Sequence, residues 1–585
     1  MAFALNVVYT CVNAYLGINF GIGLSFGIVT VLLSRFLLNF IFKGVSKGEA
    51  VATMIMAAGG GYTAVMLAYN ILTRVEVPES NLPLWLIPSK DVLLSRRILC
   101  WEWATPIFIS VVILTLIPAV IGLIYGLAVN DVVSKCRSMV FPFYSAEAMA
   151  ANACFEEEKS ARALLIFLFI GVILTTLQYG LKVFGIDLID FDFTPNLPYG
   201  FAFGFFANLA IIALGYIIES SVSLTILIAG IGIYFVVAPI LVYSGFVPYT
   251  NVGSRFYTDL LYNHMISPAL GTLLLSGILL IGIKKARKFL GGRKDYGKEM
   301  KKAVLGLSFV DFLRGLRIGF RDKKLIITFI ASTTALIVWA ITLNFLYPYP
   351  TWVSIVYTIL FVAPIGIVDS YVILKMSGET GLPIGIYRFL LYQAPITASG
   401  YRGYAAHLAY PSVNPWAAST LNGNLKIGEM TGTSKRSVVK ATILSLLPSA
   451  LAGTLFTLFV WKYIGLLNEL FPCVQFLQFL PMIKMFAKGS VEGVINPTTF
   501  IAGGCLGAVL QALTPASAMG IAMAMFLPPS YILTFGIGGL LRIYTDHKFG
   551  KKWFEENGRL IATGFITGSV IAQMLEVALM ATMSF

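Results

Sequence analysis

FPFYSAEAMAANACFEEEKSAR, residues 141–162, decides how this chain is read. The stretch is only weakly hydrophobic, yet it runs directly into a long apolar segment, ALLIFLFIGVILTTLQYGLKVF, residues 163–184. A second junction of the same kind lies at WAASTLNGNLKIGEMTGTSKR, residues 416–436, ahead of the apolar run Val438–Val460. Lipid offers backbone polar groups no partner, so a polar interruption at membrane depth persists only where it lines a cavity. Interruptions at corresponding places in two halves are the strongest sequence pointer to a binding path.

The composition supports a membrane setting. The 585 residues are 58% hydrophobic and 12% charged, with mean hydropathy +0.83, against roughly 25% charged in soluble domains. Met1 to Ser34 contains no Asp, Glu, Lys or Arg. One helix of that length would run about 50 Å, well beyond a ~30 Å hydrocarbon core, so two connected helices breaking near Gly17, Gly21 and Gly23 are expected. No basic residue precedes the first apolar run, which argues against a cleaved signal peptide.

Net charge is +14. The basic residues gather between apolar runs, at Lys43 and Lys47, Lys135 and Arg137, Lys159 and Arg162, Lys284–Lys324 and Lys435–Lys440. That pattern reports topology by the positive-inside bias and gives no reason to expect nucleic acid. It places the N-terminus and the central basic linker in the cytoplasm of a multi-pass cell-membrane protein. Asp187–Asn196, acidic and without Lys or Arg, reads as an outer connection, whereas Arg74–Trp103 and His547–Lys552 carry positive charge against the scheme. The cysteines and the histidines His264, His407 and His547 are scattered. HExxH and GxxxxGK[ST] are absent, so neither a thiolate metal cluster nor ATP binding is expected.

Apolar runs long enough to span lie at about Ala2–Gly17, Phe20–Phe42, Ala50–Thr73, Pro106–Val129, Ala163–Phe184, Tyr199–Ile218, Val222–Phe246 and Ile266–Ile283. After the basic linker they resume at Leu325–Leu346, Val353–Met376, Pro383–Ala398, Val438–Val460, Phe476–Phe486, Phe500–Leu513, Ala518–Leu541 and Leu560–Met583. The expected fold is an all-α polytopic membrane protein of about sixteen transmembrane helices in two homologous halves with re-entrant hairpins at the breaks. The halves would be residues 1–284 and 324–585. They would be joined by a linker at residues 285–323, whose LSFVDFLRGLRIGF (307–320) suits a helix lying on the membrane surface.

Ionisable groups inside apolar runs are functional candidates by default, which selects Asp369 and Glu576. For Asp369 the alternative is a buried pair with Lys375 or Arg388, and for Glu576 a structural hydrogen bond. In the breaks, Ser145 and Glu147 on one side and Asn422, Asn424, Lys426 and Glu429 on the other would hold a zwitterionic or chelate ligand; the competing reading is a cytoplasmic loop. Asn13 and Asn19, within the glycine-rich VNAYLGINFGIGLSFG (12–27), serve helix packing or face a cavity.

These pieces together resemble the oligopeptide transporter (OPT) family, which includes the yellow-stripe-like metal chelate carriers. The resemblance rests on NAYLGINFG (13–21), MAAGGGYTA (56–64), FPFYSAEA (141–148), SPALGTLLLSGILLIGI (267–283), SGETGLPIG (377–385), LNGNLKIGEMTGTSKR (421–436) and FLPPSYILTFGIGGLLR (526–542), in the family's order and over nearly the whole chain. It implies a proton-driven symporter of short peptides or metal chelates, with no cofactor or resident metal and with a homo-oligomer left open. It also implies a central path lined by the break segments and the SGETG region. The substrate-binding residues expected on these grounds are Asn13, Tyr15, Ser145, Glu147, Ser377, Glu379, Thr380, Asn422 and Asn424, and the acids expected to carry protons are Asp369, Glu379 and Glu576. The first break departs from the family pattern FPSGTAxAE: Tyr144 replaces the glycine and Met149 falls where an acid is expected.

Secondary transport by alternating access is therefore the leading expectation. An intramembrane enzyme acting on a lipid or peptide is the alternative. It would need paired carboxylates or a nucleophile with its base at membrane depth, and the sequence offers isolated acids instead. A scaffold protein would leave the matched breaks unexplained.

Overall fold

The computed structural model describes residues 1–20, 27, 30–31, 34, 44–80, 82–136, 138–156, 158–183, 190–289, 307–346, 356, 358–360, 362–381, 383, 388, 391–392, 414–468, 471, 473, 476–477, 480, 483–484, 487–488 and 496–583. Within them helix dominates, as an all-α membrane protein requires. Among the described residues, six helical stretches are long and apolar enough to cross a bilayer: Lys47–Glu76, Trp101–Val133, Ser220–Tyr243, Lys323–Thr342, Thr358–Thr380 and Lys435–Tyr463.

The principal helices of the first half are α1 (Ala2–Phe20), α2 (Lys47–Ala57), α3 (Tyr62–Glu76), α4 (Ile117–Val133), α5 (Pro142–Glu156), α6 (Glu158–Val183), α7 (Leu209–Ile217), α8 (Ser220–Gly232) and α9 (Ile266–Phe289). Then come α10 (Phe309–Gly319), α11 (Lys323–Leu346), α12 (Pro364–Thr380), α13 (Asn414–Thr431), α14 (Lys435–Tyr463), α15 (Pro497–Leu513), α16 (Ala518–Phe526), α17 (Pro529–Phe549) and α18 (Arg559–Met583). Local sequence sets their ends. Ser46 and Glu49 form a capping box before α2, and Ser308, Ser434, Asn496 and Ser517 accept backbone N–H groups at the starts of α10, α14, α15 and α16. Each such cap satisfies donors that the first helical turn leaves open.

Both breaks are helical. α5 has 15 residues and α13 has 18, about 22 and 27 Å long, short of a ~30 Å hydrocarbon core. Each turns back into a longer partner, the 26-residue α6 and the 29-residue α14. The long arms present Ile166, Phe169 and Ile173, or Ile443, Leu447, Leu451 and Leu455, outward, as lipid-facing helices do. The short arms are mostly buried. They also touch each other: α13 packs on α5, α4, α12 and α14, and Asn152 donates to the Met430 carbonyl at 3.0 Å.

Three sequence expectations change. α1 runs unbroken through Gly17 to Phe20, and residues 21–26 lie outside the described set. Tyr199–Ile218 is not one span. Its first part supplies β2 (Gly204–Phe206), which pairs antiparallel with the preceding β1 (Asp190–Asp192), and the nine-residue α7 follows. Pro198, Gly200 and Gly204 break the helix, and the alternating phenylalanines stack Phe191 on Phe193 and Phe205 instead. Ala518–Leu541 splits at Leu527–Pro528 into α16 and α17, because proline cannot supply the next helical N–H. Beyond these, α9 continues past Lys284 to Phe289.

Candidate functional site

The last turns of α12 bear Ser377, Glu379 and Thr380, all buried. The helix stops at Gly381, whose φ of 78° and N–H bond to the Ser377 carbonyl at 3.1 Å form a left-handed cap. Three residues before this cap, the Gly378 carbonyl accepts the Phe141 N–H at 2.8 Å. The SGETG motif and the start of the first break are therefore joined by backbone. α5 begins there, and the Ser145 hydroxyl donates back to the Val140 carbonyl.

α13 closes the site from the other side. Its Gly423 faces the ring of Tyr144, and the Tyr144 hydroxyl is hydrogen-bonded with Thr420. A side chain at residue 423 would occupy the space of that ring. The tyrosine that departs from the family pattern thus fills the seam between the two short helices.

Charge is concentrated at α12. Glu379 accepts from the Ser138 hydroxyl at 3.1 Å and from the Leu307 N–H. Lys375 lies one turn earlier on the same face. Its Nζ is 3.5 Å from the Tyr371 hydroxyl, which itself donates to the Leu307 carbonyl at 3.0 Å. Glu147 on α5 accepts the Gly27 N–H at 3.1 Å.

Asp369 is fully buried and holds Arg388 Nε at 2.8 Å and the Tyr392 hydroxyl at 2.7 Å. Of the two pairings weighed from sequence, Arg388 is the partner, and Lys375 sits instead beside Tyr371. The guanidinium also lies 5.9 Å from the Trp416 ring at the start of α13, within cation–π range.

Asn422 and Asn424 are two residues apart on one helix and so face different ways. Asn422 Nδ2 donates to the carbonyls of Gly126 (3.1 Å) and Ala418 (2.9 Å), while its buried Oδ1 has no hydrogen-bond partner among the described residues. Asn424 turns to α14 and donates to Thr442 at 3.0 Å. Lys426 and Glu429 pair with each other at 3.0 Å near the surface. They belong to the exposed end of α13, not to its buried part.

On α1, Asn13 donates to the Gly59 carbonyl at 2.6 Å, and Tyr15 meets Phe471 edge-on at 5.2 Å. Both contacts hold α1 against its neighbours. Glu576 lies on α18 and Asn19 on α1, but their side chains, like His407 as a whole, fall outside the described residues. Sequence reasoning did not single out Ser138, Tyr371, Gly126 or Trp416 for the site. Ser138 sits just ahead of the first break and Tyr371 one turn before Lys375, and those positions are the available signals.

A bundle of membrane-spanning helices that encloses buried polar and charged groups between two short interrupted helices defines the class of polytopic membrane transporters. The chain belongs to the OPT family: the family described as OPT oligopeptide transporter protein matches residues 1–580. Comparison with curated proteins finds no match.

Proposed function

We propose that this chain is a proton-coupled symporter of short peptides, or of metal chelates of similar shape, working by alternating access in the cell membrane with its N-terminus and central linker in the cytoplasm. The observation that carries this reading is the meeting of α12 with both break helices: Gly378 is bonded to Phe141 at the head of α5, and α12 packs on α13. The three helices bear the buried polar side chains Lys375 and Glu379, Ser145, and Asn422. Buried amides and hydroxyls hold a zwitterion without the cost of an isolated charge. The open Oδ1 of Asn422 is an acceptor for a ligand amide or ammonium.

Glu379 is the proposed proton carrier. Protonation removes the negative charge beside Lys375 and the acceptors offered to Ser138 and Leu307, which gives the two access states different affinities, as any coupled carrier needs. Asp369, tied to Arg388 and Tyr392, is assigned to the scaffold. Uptake by purified protein in liposomes tests the reading. A short peptide should accumulate under an inward proton gradient, and Glu379→Gln should exchange peptide yet lose the response to the gradient. Accumulation that ignores the gradient in the unaltered protein removes proton coupling.

A further inference from the structure

We propose that the outer face of α10 docks onto anionic phospholipid headgroups and that this contact regulates the site at the end of α12. The two faces of α10 differ sharply. Phe312, Gly315 and Leu316 are buried against α4. The opposite face exposes Val310, Leu313 and Ile318 interleaved with Arg314 and Arg317, and Arg321, Lys323 and Lys324 extend it. Only Asp311 and Asp322 offset these five cations between residues 307 and 324. Arg314 pairs with Asp311 at 3.0 Å, yet the arginine side chain remains 64% exposed.

The level of this face follows from what succeeds it. α11 begins at Lys323, and only 11% of its most apolar window is buried, with Ile327, Ile330 and Val338 among its open side chains. Such a helix keeps its sides in lipid. The junction is short and hydrogen-bonded, with Asp322 N–H donating to Gly319 and Asp322 Oδ1 accepting the Lys324 N–H at 2.9 Å. α10 is therefore held where a span enters the headgroup layer. Exposed aliphatic side chains there reach the acyl boundary while arginines meet lipid phosphate. A soluble partner would have to share that position with the bilayer.

The inner end of α10 reaches the site. Leu307 takes the Tyr371 hydroxyl on its carbonyl and gives its N–H to Glu379. Phe309 and Phe312 rest edge-on against Tyr371, at 5.1 and 5.6 Å. α4, beneath α10, supplies the Gly126 carbonyl that holds Asn422. A force on α10 is thus felt at both the charged and the amide parts of the site. This regulatory half rests on the transport reading above; the docking half does not.

The test uses the full chain in neutral detergent and reads its melting temperature with short-chain phosphatidylglycerol or phosphatidylcholine. The glycerol lipid should raise Tm more than the choline lipid, by a gap that shrinks as salt screens the charges. The gap should vanish in the triple variant Arg314→Gln, Arg317→Gln, Arg321→Gln, whose lipid-free Tm stays unchanged, and persist when the same arginines become Lys. In liposomes, the unaltered protein should take up peptide several-fold faster when phosphatidylglycerol is present. No gap in the unaltered protein, a gap that survives in the Gln variant, or one reproduced by inorganic phosphate overturns docking. A gap without any effect of lipid on a measurable uptake rate overturns regulation, and a gap in protein that moves no peptide counts against the transport reading alone.

Discussion

Asp369 shows how a single buried acid can be read two ways until its neighbours are seen. It stands in an apolar run where charge is costly, which made it a functional candidate, but Arg388, nineteen positions on, neutralises it and Tyr392 donates to it as well. Asp369→Ala would strip that buried guanidinium of its carboxylate, so a loss of about 3–5 kcal/mol is expected, read as a fall in Tm that Asp369→Ala with Arg388→Met partly restores. Asn422 predicts the opposite balance. Asn422→Leu gives up hydrogen bonds worth about 1 kcal/mol each and so should melt only slightly lower, while the KM for peptide uptake rises at least tenfold. Equal KM values for Asn422→Leu and the unaltered chain would take this residue out of the site. Neither distinction was legible in the sequence, because it depends on which side chains meet across helices.

At the level of elements, the two breaks were legible, since polar composition followed by a long apolar run is a local signal. Their conformation as short helices, and the contact between them through Tyr144 and Gly423, was not. Gly423→Val should force the Tyr144 ring away and separate the pair, at a cost of about 1–3 kcal/mol from overpacking, with transport lost; Gly423→Val joined to Tyr144→Gly should recover part of it. The β-hairpin shows why hydropathy alone misplaces a span: an apolar run with alternating phenylalanines serves a strand as well as a helix. Close helix pairing has its own signature. α9 and α15 meet through Gly271 and Gly503, where a Cβ would run into Phe500 and Pro268 respectively, so Gly271→Val should reduce the yield of monodisperse protein in size-exclusion chromatography.

For the whole molecule, the membrane class and the family were plain from composition and motif order, whereas the interlocking of the halves was not. α6 of the first half packs along α18 at the far end of the chain, α9 along α15, and α1 along α14. Without the other half, each longest arm would lose most of the helix surface it packs against and keep only its short partner, an arrangement that a linear reading of repeats does not reveal. A fragment of residues 1–300 expressed alone should therefore fail to give a monodisperse species, and co-expression with residues 301–585 should restore one. A stable, monodisperse fragment would show that the contacts between halves are dispensable.

Among the described residues, four helical stretches widen into full π turns, at Ile109–Leu116, Ile233–Val237, Leu261–Met265 and Phe554–Gly558. A π turn holds one residue more than the α turn it replaces, so these are the places where the chain carries slack in its numbering. Removing one residue from Ile233–Val237 lets the helix close to ordinary pitch and leaves the faces beyond it in register. The same deletion in a regular span such as Ala450–Val460 rotates everything downstream by about 100°. Tolerance of single-residue deletions should accordingly peak at the four π turns and fall away between them.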